Sequence, residues 1–261
     1  MRSPLAQRFA GPLERARSFV DAGGSDLDAL RLALWSGEGE PALLREALEK
    51  LQRPDGSFPA LPERADAGPV LNTLAALHVL FDARVRRAES VERAVGFLMD
   101  RQAEDGSWCG APADDLLATT ALVAGALARS VYTRPDVLAA AGDWLARRYD
   151  RERPGWGALA GLCVFFSSVD HEAGDTALQW SGRALERSYR AGEFTSLETA
   201  RVLLLCDAVG LPGAGIDPGE LVQGVLGQQA EDGGWPGCAA AGGNRIEATL
   251  DAALALLRLP S

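Results

Sequence analysis

Two kinds of hydrophobic pattern alternate along the chain. Stretches such as LLREALEKL (43–51) and VERAVGFLM (91–99) place apolar residues three and four apart with charges between them, which predicts amphipathic helices. Each is followed by a stretch made almost entirely of Ala, Leu, Val and Thr, such as VLNTLAALHVLF (70–81) and DLLATTALVAGAL (115–127). Such a stretch predicts a helix buried on most of its sides. The alternation predicts six helix pairs and no strand-rich domain.

A short motif recurs between the two helices of a pair. It reads x-Q-x-x-D-G-[SG]-[FW] in the segments 51–58, 101–108 and 228–235. Weaker copies end at Trp156 and Phe194, so that the aromatic residues lie roughly 40 to 50 residues apart, enough for two helices and their connections. The Asp-Gly step predicts a turn, because Gly tolerates positive φ.

The motif residues are predicted to be structural. We expect the Gln to bond free groups at a helix end, and the aromatic ring to fill the gap between neighbouring pairs. By this interpretation the following residues take no part in chemistry: Gln52, Gln102, Gln229, Trp108 and Trp235.

Six buried helices surrounded by six amphipathic ones predict an all-α fold. We expect a closed α6/α6 toroid, a double barrel of six inner and six outer helices, with residues 1–261 forming a single domain. An open solenoid would end in polar capping helices. The last helical stretch, IEATLDAALALL (246–257), is as apolar as any other, which favours closure.

Composition and charge narrow the class of protein. The chain has 261 residues and a net charge of −10, which argues against a nucleic-acid partner. Its four cysteines form no C-x-x-C pair, as is typical of a reduced protein. The first residues lack the apolar core of a signal peptide, and no stretch reaches 18 apolar residues. These features predict a cytoplasmic protein without a transmembrane segment.

The three strong motif copies resemble the QW motif of squalene and hopene cyclases. Class II diterpene cyclases and the β subunits of protein prenyltransferases share it in looser form, and the resemblance covers residues 40–261. It implies an α6/α6 barrel whose inner helices line a cavity for a hydrophobic isoprenoid small molecule. Triterpene cyclases contain two such barrels, so this chain looks like one barrel alone.

The family signatures of catalysis are incomplete. Class II cyclases carry D-x-D-D-T-A at the start of an inner helix, where the middle Asp protonates an alkene or epoxide, and this string is absent here. Glu247 stands two residues before the Thr of the last inner helix, in the place of the middle Asp. Glu198 keeps a carboxylate in the adjacent place of another inner helix. Asp115 stands where the first Asp of the string would be.

Protein prenyltransferases hold zinc with Asp, Cys and His. This chain has only two histidines, of which His78 is interpreted as a core residue and His171 as a solvated one. No metal site is therefore predicted, and zinc-dependent prenylation is disfavoured.

Acid catalysis in an apolar cavity needs a carboxyl group beside the substrate, and the start of an inner helix is the expected place. The catalytic candidates are Glu247, Glu198, Asp115 and Asp28. The alternative for each is helix capping, because acidic residues in a first turn complement the helix dipole.

Substrate-binding candidates follow from the same geometry. A diphosphate would be held by helix N-termini with Arg245 or Arg64, although ordinary surface charge is the favoured explanation for both arginines. Phe165, Phe166 and Trp35 could line the cavity and stabilise carbocations, or could be core residues.

Two main hypotheses remain open. The first is a terpene cyclase-like enzyme that acts on a prenyl diphosphate or a prenylated small molecule by acid-initiated carbocation cyclisation. The alternative is a non-catalytic isoprenoid-binding, lipid-binding or scaffold protein. A carbohydrate-active enzyme is a weaker third option. No cofactor is identified; Mg²⁺ would accompany a diphosphate, although no D-D-x-x-D string is present to hold it.

Overall fold

The chain is helical throughout the part that the structure describes. The computed structural model describes residues 8–62, 65–110, 115–151, 153–237 and 244–260, which contain twelve α-helices and no strand. The predicted all-α class is confirmed, and the twelve helices of these ranges are the number that six pairs require. Among the described helices, none has both the length and the apolar character needed to cross a membrane.

Each pair consists of a first and a second helix. The first helices are α1 (Ala10–Gly23), α3 (Pro41–Glu49), α5 (Glu89–Met99), α7 (Pro135–Ala146), α9 (Gly174–Arg190) and α11 (Pro218–Gly227). The second helices are α2 (Asp26–Trp35), α4 (Gly68–Asp82), α6 (Leu116–Ala128), α8 (Trp156–Ser168), α10 (Ser196–Cys206) and α12 (Arg245–Arg258).

Burial follows the two sequence patterns. In α8 every residue of 158–166 is buried, as expected for a helix with no wet face. In α5 the buried positions include Val91, Ala94, Val95 and Leu98, whose spacing places them on one face. The second helices therefore supply most of the core.

Neighbouring pairs pack through their second helices. Contacts run from α4 to α6, α6 to α8, α8 to α10 and α10 to α12. The last helix, α12, also contacts α1 and α2. The first and last pairs of the chain are therefore neighbours in space.

The motif glutamines join one pair to the next. Gln52 Nε2 donates one hydrogen bond to the carbonyl of Gly56 in its own turn, at 3.0 Å, and another to that of Ser90 in α5, at 2.9 Å. Gln102 repeats this arrangement towards Gly106 (3.1 Å) and Val137 of α7 (3.0 Å). The expected bonds to free helix-end groups are replaced by bonds to carbonyls in the first turn of the next pair.

The third motif makes the same contacts across the chain ends. Gln229 Nε2 donates to the carbonyls of Gly233 and of Pro12 in α1, both at 2.9 Å. A Cβ added to Gly233, which has φ +89°, would lie 2.4 Å from the carbonyl oxygen of Arg15 in α1. The turn that follows α11 therefore packs against α1 so closely that only Gly fits at position 233.

The motif aromatics join the two helices of their own pair. The backbone N–H of Trp108 donates to Thr120 Oγ1 of α6 at 3.1 Å, and its indole Nε1 donates to the Leu98 carbonyl of α5 at 2.7 Å. Trp235 is held in the same way by Thr249 and Val225. Both rings are fully buried, so the structural role predicted for them agrees with their environment.

Replacing Gln229 with Leu is expected to lower the free energy of unfolding by about 1 to 3 kcal/mol, because two carbonyl groups lose their donor. Gln52→Leu and Gln102→Leu should cost similar amounts, since their bonds are equivalent. Urea unfolding followed by circular dichroism measures all three.

The adjacent Gln228 gives a matched control, because its side chain makes no hydrogen bond to the described residues. Gln228→Leu should change stability by less than about 0.5 kcal/mol. A Gln229→Leu variant as stable as this control would show that the contact between the chain ends contributes nothing.

Candidate functional site

A cavity of about 270 Å³ lies among five of the six second helices. Small-molecule sites usually measure roughly 300 to 1,000 Å³, so this cavity is at the lower end of that range. Part of its wall is apolar, formed by Leu61, Ala75, Val79, Leu204, Leu205 and Leu254. The rest is polar or aromatic, formed by Arg31, His78, Asp82, Trp156, Arg201, Glu247 and Asp251.

One ion pair in the wall joins α2 to α12. Arg31 NH1 and NH2 donate to the two carboxylate oxygens of Glu247 at 3.0 and 3.1 Å. Asp28 lies behind them, with Oδ1 at 3.6 Å from Arg31 NH1, and only 4% of the Arg31 side chain is exposed. Burial alone would lower the pKa of Arg31, but the attraction and hydrogen bonds of Glu247 outweigh it and raise the pKa.

A second pair joins α10 to α12. Arg201 donates to the carboxylate of Asp251, one helical turn beyond Glu247, and the Arg201 guanidinium lies over the Trp156 ring, 5.1 Å from its centroid. Burial raises the pKa of Asp251 to about 6, with Arg201 opposing the rise and the like charge of Glu247 adding to it. Asp251 is therefore a carboxyl group that holds its proton at a higher pH than an exposed Asp does.

The α4 side of the cavity carries a histidine and a carboxyl group one turn apart. Burial lowers the pKa of His78 to about 4, helped by the positive charge of Arg129, so the imidazole is neutral at pH 7. Burial also raises the pKa of Asp82, which the Arg258 guanidinium, 3.5 Å away, only partly offsets. His78, interpreted from the sequence as a core residue, also lines the cavity.

Helical spacing explains why these groups meet. Residues four apart lie on the same face of a helix, so that Glu247 and Asp251 point to one side of α12, and His78 and Asp82 to one side of α4. The flanking residues of both helices are Ala, Leu and Val. Because these apolar residues are buried in the core, the ionisable side chains between them also face the interior.

Of the four catalytic candidates, Glu247 alone is in the cavity lining. Asp28 is fully buried beside it, but its Oδ2 accepts hydrogen bonds from the Ser25 backbone N–H and hydroxyl at 3.1 and 2.8 Å, in a capping box at the start of α2. The capping alternative therefore describes Asp28 well.

The other two carboxylates also cap helices. Glu198 Oε2 accepts from the Thr195 backbone N–H and hydroxyl at 2.9 and 3.0 Å at the start of α10. Asp115, which is exposed, accepts from the Ala118 backbone N–H at 3.0 Å. Neither residue is among those that line the 270 Å³ cavity.

The aromatic candidates lie around the cavity rather than in its wall. Trp35 stacks under Arg31, whose guanidinium is 5.1 Å from the ring centroid, and lines an adjoining groove of about 280 Å³. Phe165 and Phe166 are buried in α8, with ring centroids 5.2 Å apart in an edge-to-face contact. The aromatic residue that does line the cavity is Trp156. From the sequence it was predicted to be the aromatic residue of a turn motif.

Arg245 is paired outside the cavity. Its two terminal nitrogens donate to Asp232 at 2.8 Å each, and its guanidinium lies over Phe19, 4.7 Å from the ring centroid. These contacts leave it away from the residues that line the cavity. Arg64, the other predicted diphosphate ligand, lies outside the described residues.

Three residues of the cavity wall were not among the predicted site residues: Arg31, Arg201 and Asp251. A pattern that could have found them is present, because each is the one charged residue of its helix outside the first and last turns. Such residues are rarely buried unless they are paired. The described ranges contain no group of three or more His, Cys, Asp or Glu side chains that could hold a metal ion.

Comparison with known proteins finds neither a matching family model nor a matching curated sequence. The resemblance to the cyclase motif therefore depends on the motif residues alone. Any function has to be argued from the cavity and its ionisable groups.

Replacing Arg31 with Met is expected to lower the free energy of unfolding by about 3 to 5 kcal/mol, because Glu247 and Asp28 lose a buried partner. The matched control is Arg245→Met, which breaks an Arg–carboxylate pair of similar geometry whose side chains are 40% and 51% exposed. That control should cost about 0 to 1 kcal/mol. Equal losses in urea unfolding at pH 7 would contradict the burial argument.

The stability of the protein relative to Asp251→Asn should depend on pH. The pKa of Asp251 is raised from 3.8 to about 6 on folding, so the folded state binds the proton more tightly. The contribution of Asp251 is then fully present below pH 4 and is lost as the pH rises through 6, by about 3 kcal/mol in all.

The measurement is the difference in unfolding free energy between the wild type and Asp251→Asn from pH 4 to pH 7.5. The wild type's advantage should fall with rising pH. An advantage that grows with pH would mean that the Arg201 pair outweighs burial.

Proposed function

We propose that the six helix pairs close into a single α6/α6 toroid with the cavity at its centre. Support comes from the equivalent bonds of Gln52, Gln102 and Gln229, of which the last reaches α1 from the end of α11. The contacts of α12 with α1 and α2 agree with closure. Five second helices also contribute to one cavity wall, as an arrangement around a central space requires.

We further propose that the protein converts an isoprenoid in this cavity by acid-initiated carbocation cyclisation. The observation that carries this proposal is Asp251, a carboxyl group with a raised pKa in the same wall as Leu204 and Leu254. A general acid is most effective when its pKa lies near the working pH. The apolar part of the wall suits a prenyl chain.

Asp251 is better placed as the acid than Glu247. Both oxygens of Glu247 accept hydrogen bonds from Arg31, which favour the carboxylate form. At Asp251 burial has the larger effect and favours the protonated form. The adjacent Trp156 ring offers a π face to a positive charge that forms beside the acid.

The proposed reaction balances as an isomerisation. Protonated Asp251 transfers its proton to a carbon–carbon double bond, and the resulting cation is attacked by a second double bond to form a ring. Loss of a proton from the cyclised cation to water forms a new double bond. Asp251 then regains a proton from solvent.

A second candidate is non-catalytic binding of an isoprenoid or other lipid. The observation that favours it is the Arg201 partner of Asp251, which stabilises the carboxylate and so opposes proton transfer. Native mass spectrometry of the purified protein distinguishes the two functions, because a carrier should retain a lipid that survives incubation unchanged.

The test of the enzyme is incubation with a panel of C10 to C20 prenyl diphosphates and terpenols in D₂O. A cyclised product that carries one deuterium on carbon is expected. Asp251→Asn should lower the rate by about 10² to 10⁴-fold, the usual contribution of a general acid. Absence of product from every compound would contradict the proposal.

The matched control is Asp115→Asn, which changes an exposed capping carboxyl outside the cavity lining. Asn retains an oxygen that can accept the same capping bond. The rate should therefore stay within about threefold of the wild type. Equal losses in the two variants would assign the effect to stability rather than to proton transfer.

A further inference from the structure

A small side pocket adjoins the central cavity. It measures about 30 Å³, more than the roughly 10 to 15 Å³ that a single bound water needs. It shares His78, Asp82, Leu204 and Leu205 with the cavity wall, and Arg129 lines it from the end of α6. The side pocket is therefore a small recess beside the larger cavity, with three polar residues, His78, Asp82 and Arg129, in an otherwise apolar wall.

His78 is available to a ligand in this recess. Its half-buried side chain makes no hydrogen bond to the described residues. It is neutral at pH 7, because burial and Arg129 lower its pKa to about 4. A neutral imidazole offers one N–H donor and one acceptor nitrogen.

Arg129 supplies further donors. Its NH1 donates to the Leu205 carbonyl at 2.6 Å, and its other nitrogens have no partner in the described ranges. The nearby charge of Asp82 is matched by Arg258. The recess thus presents several N–H groups towards a ligand and an acceptor on His78.

Size and charge limit which chemical groups of a ligand the recess can bind. A hydroxyl or carbonyl oxygen is comparable in size with a water molecule and fits this space of about 30 Å³, whereas a diphosphate has nine non-hydrogen atoms and needs much more room. In the main cavity the two guanidinium groups, Arg31 and Arg201, already have carboxylate partners. The recess adds one guanidinium that has no carboxylate partner among the described residues, Arg129, whereas the several negative charges of a diphosphate need several such groups.

We propose that the side pocket binds the oxygen of an uncharged alcohol or carbonyl group through His78 and Arg129, while the apolar body of the same ligand fills the central cavity. The proposal rests on the proposed function in placing an isoprenoid in that cavity. It narrows the substrate class from prenyl diphosphates to oxygenated isoprenoids without a diphosphate.

The experiment compares three ligands with one C15 skeleton: farnesol, farnesene and farnesyl diphosphate. Dissociation constants are measured by competition with a fluorescent apolar probe on the purified full chain. Farnesol is expected to bind about tenfold more tightly than farnesene, the effect of one or two hydrogen bonds, and more tightly than the diphosphate.

His78→Leu should reduce the preference for farnesol over farnesene to less than about threefold and leave farnesene binding unchanged. The variant should fold, since it replaces an unpartnered polar group with an apolar one. Arg129→Met is the second variant and should weaken farnesol binding more than farnesene binding. Arg245→Met, whose guanidinium is paired outside the cavity, is its control and should alter neither.

The outcomes separate this inference from the proposed function. Tighter binding of the diphosphate, or an unchanged preference in His78→Leu, overturns the inference alone. Failure of all three ligands to bind overturns both. Selective farnesol binding without any turnover supports the inference and counts against the enzyme.

Discussion

The arrangement of the helix pairs depends on one side-chain amide that satisfies two backbone carbonyls at once. Gln52, Gln102 and Gln229 each use a single nitrogen for a carbonyl in their own turn and a carbonyl in the next first helix. The amide has two N–H groups, so both bonds can be made together. The accompanying glycine lets the turn backbone approach the next helix more closely than any side chain would permit. At these three junctions distance and orientation between pairs are therefore set locally, and one of the three is where the first and last pairs meet.

The direction of the second helices accounts for the placement of several charges. Asp28, Asp115, Glu198 and Glu247 stand at the starts of second helices, and the first three of them cap those helices. Arg129 and Arg258 stand at the ends of second helices, where cations complement the dipole. Charges in those places stabilise helices, whether or not they have a further role. Arg31, Arg201 and Asp251 are different, because they lie in the middle of their helices and face a cavity. Buried pairs often stabilise a fold less than apolar residues of similar volume would, and a strongly shifted pKa in a cleft is more typical of a functional site.

The fold could be predicted further than the site could. Spacing of apolar residues distinguished the two helix types, and the Asp-Gly-aromatic segments located the turns, because both depend on neighbours along the chain. The site depends on which side of each helix faces the cavity, and that is decided by packing. His78 is surrounded in sequence by Leu, Ala and Val and resembled a core residue. Trp156 resembled the aromatic of a turn, yet it begins α8 and lies beneath Arg201. Asp251 lies in the middle of α12, whereas the carboxyl groups predicted as acids all stand at helix starts.

The start of a helix is an unfavourable place for a carboxyl group that has to donate a proton. A carboxyl group in the first turn of a helix receives hydrogen bonds from backbone N–H groups and the favourable end of the dipole, and both stabilise its negative form. A proton donor needs surroundings that stabilise its neutral, protonated form instead. Glu198 and Asp28 show the consequence, since their oxygens accept capping bonds. Asp251 is the seventh residue of α12, beyond the reach of the free N–H groups, and there burial can keep the proton on the carboxyl group. In a cavity built from helices that run in alternating pairs, a dry acid is therefore better sought in the middle of an apolar helix than at its capped end.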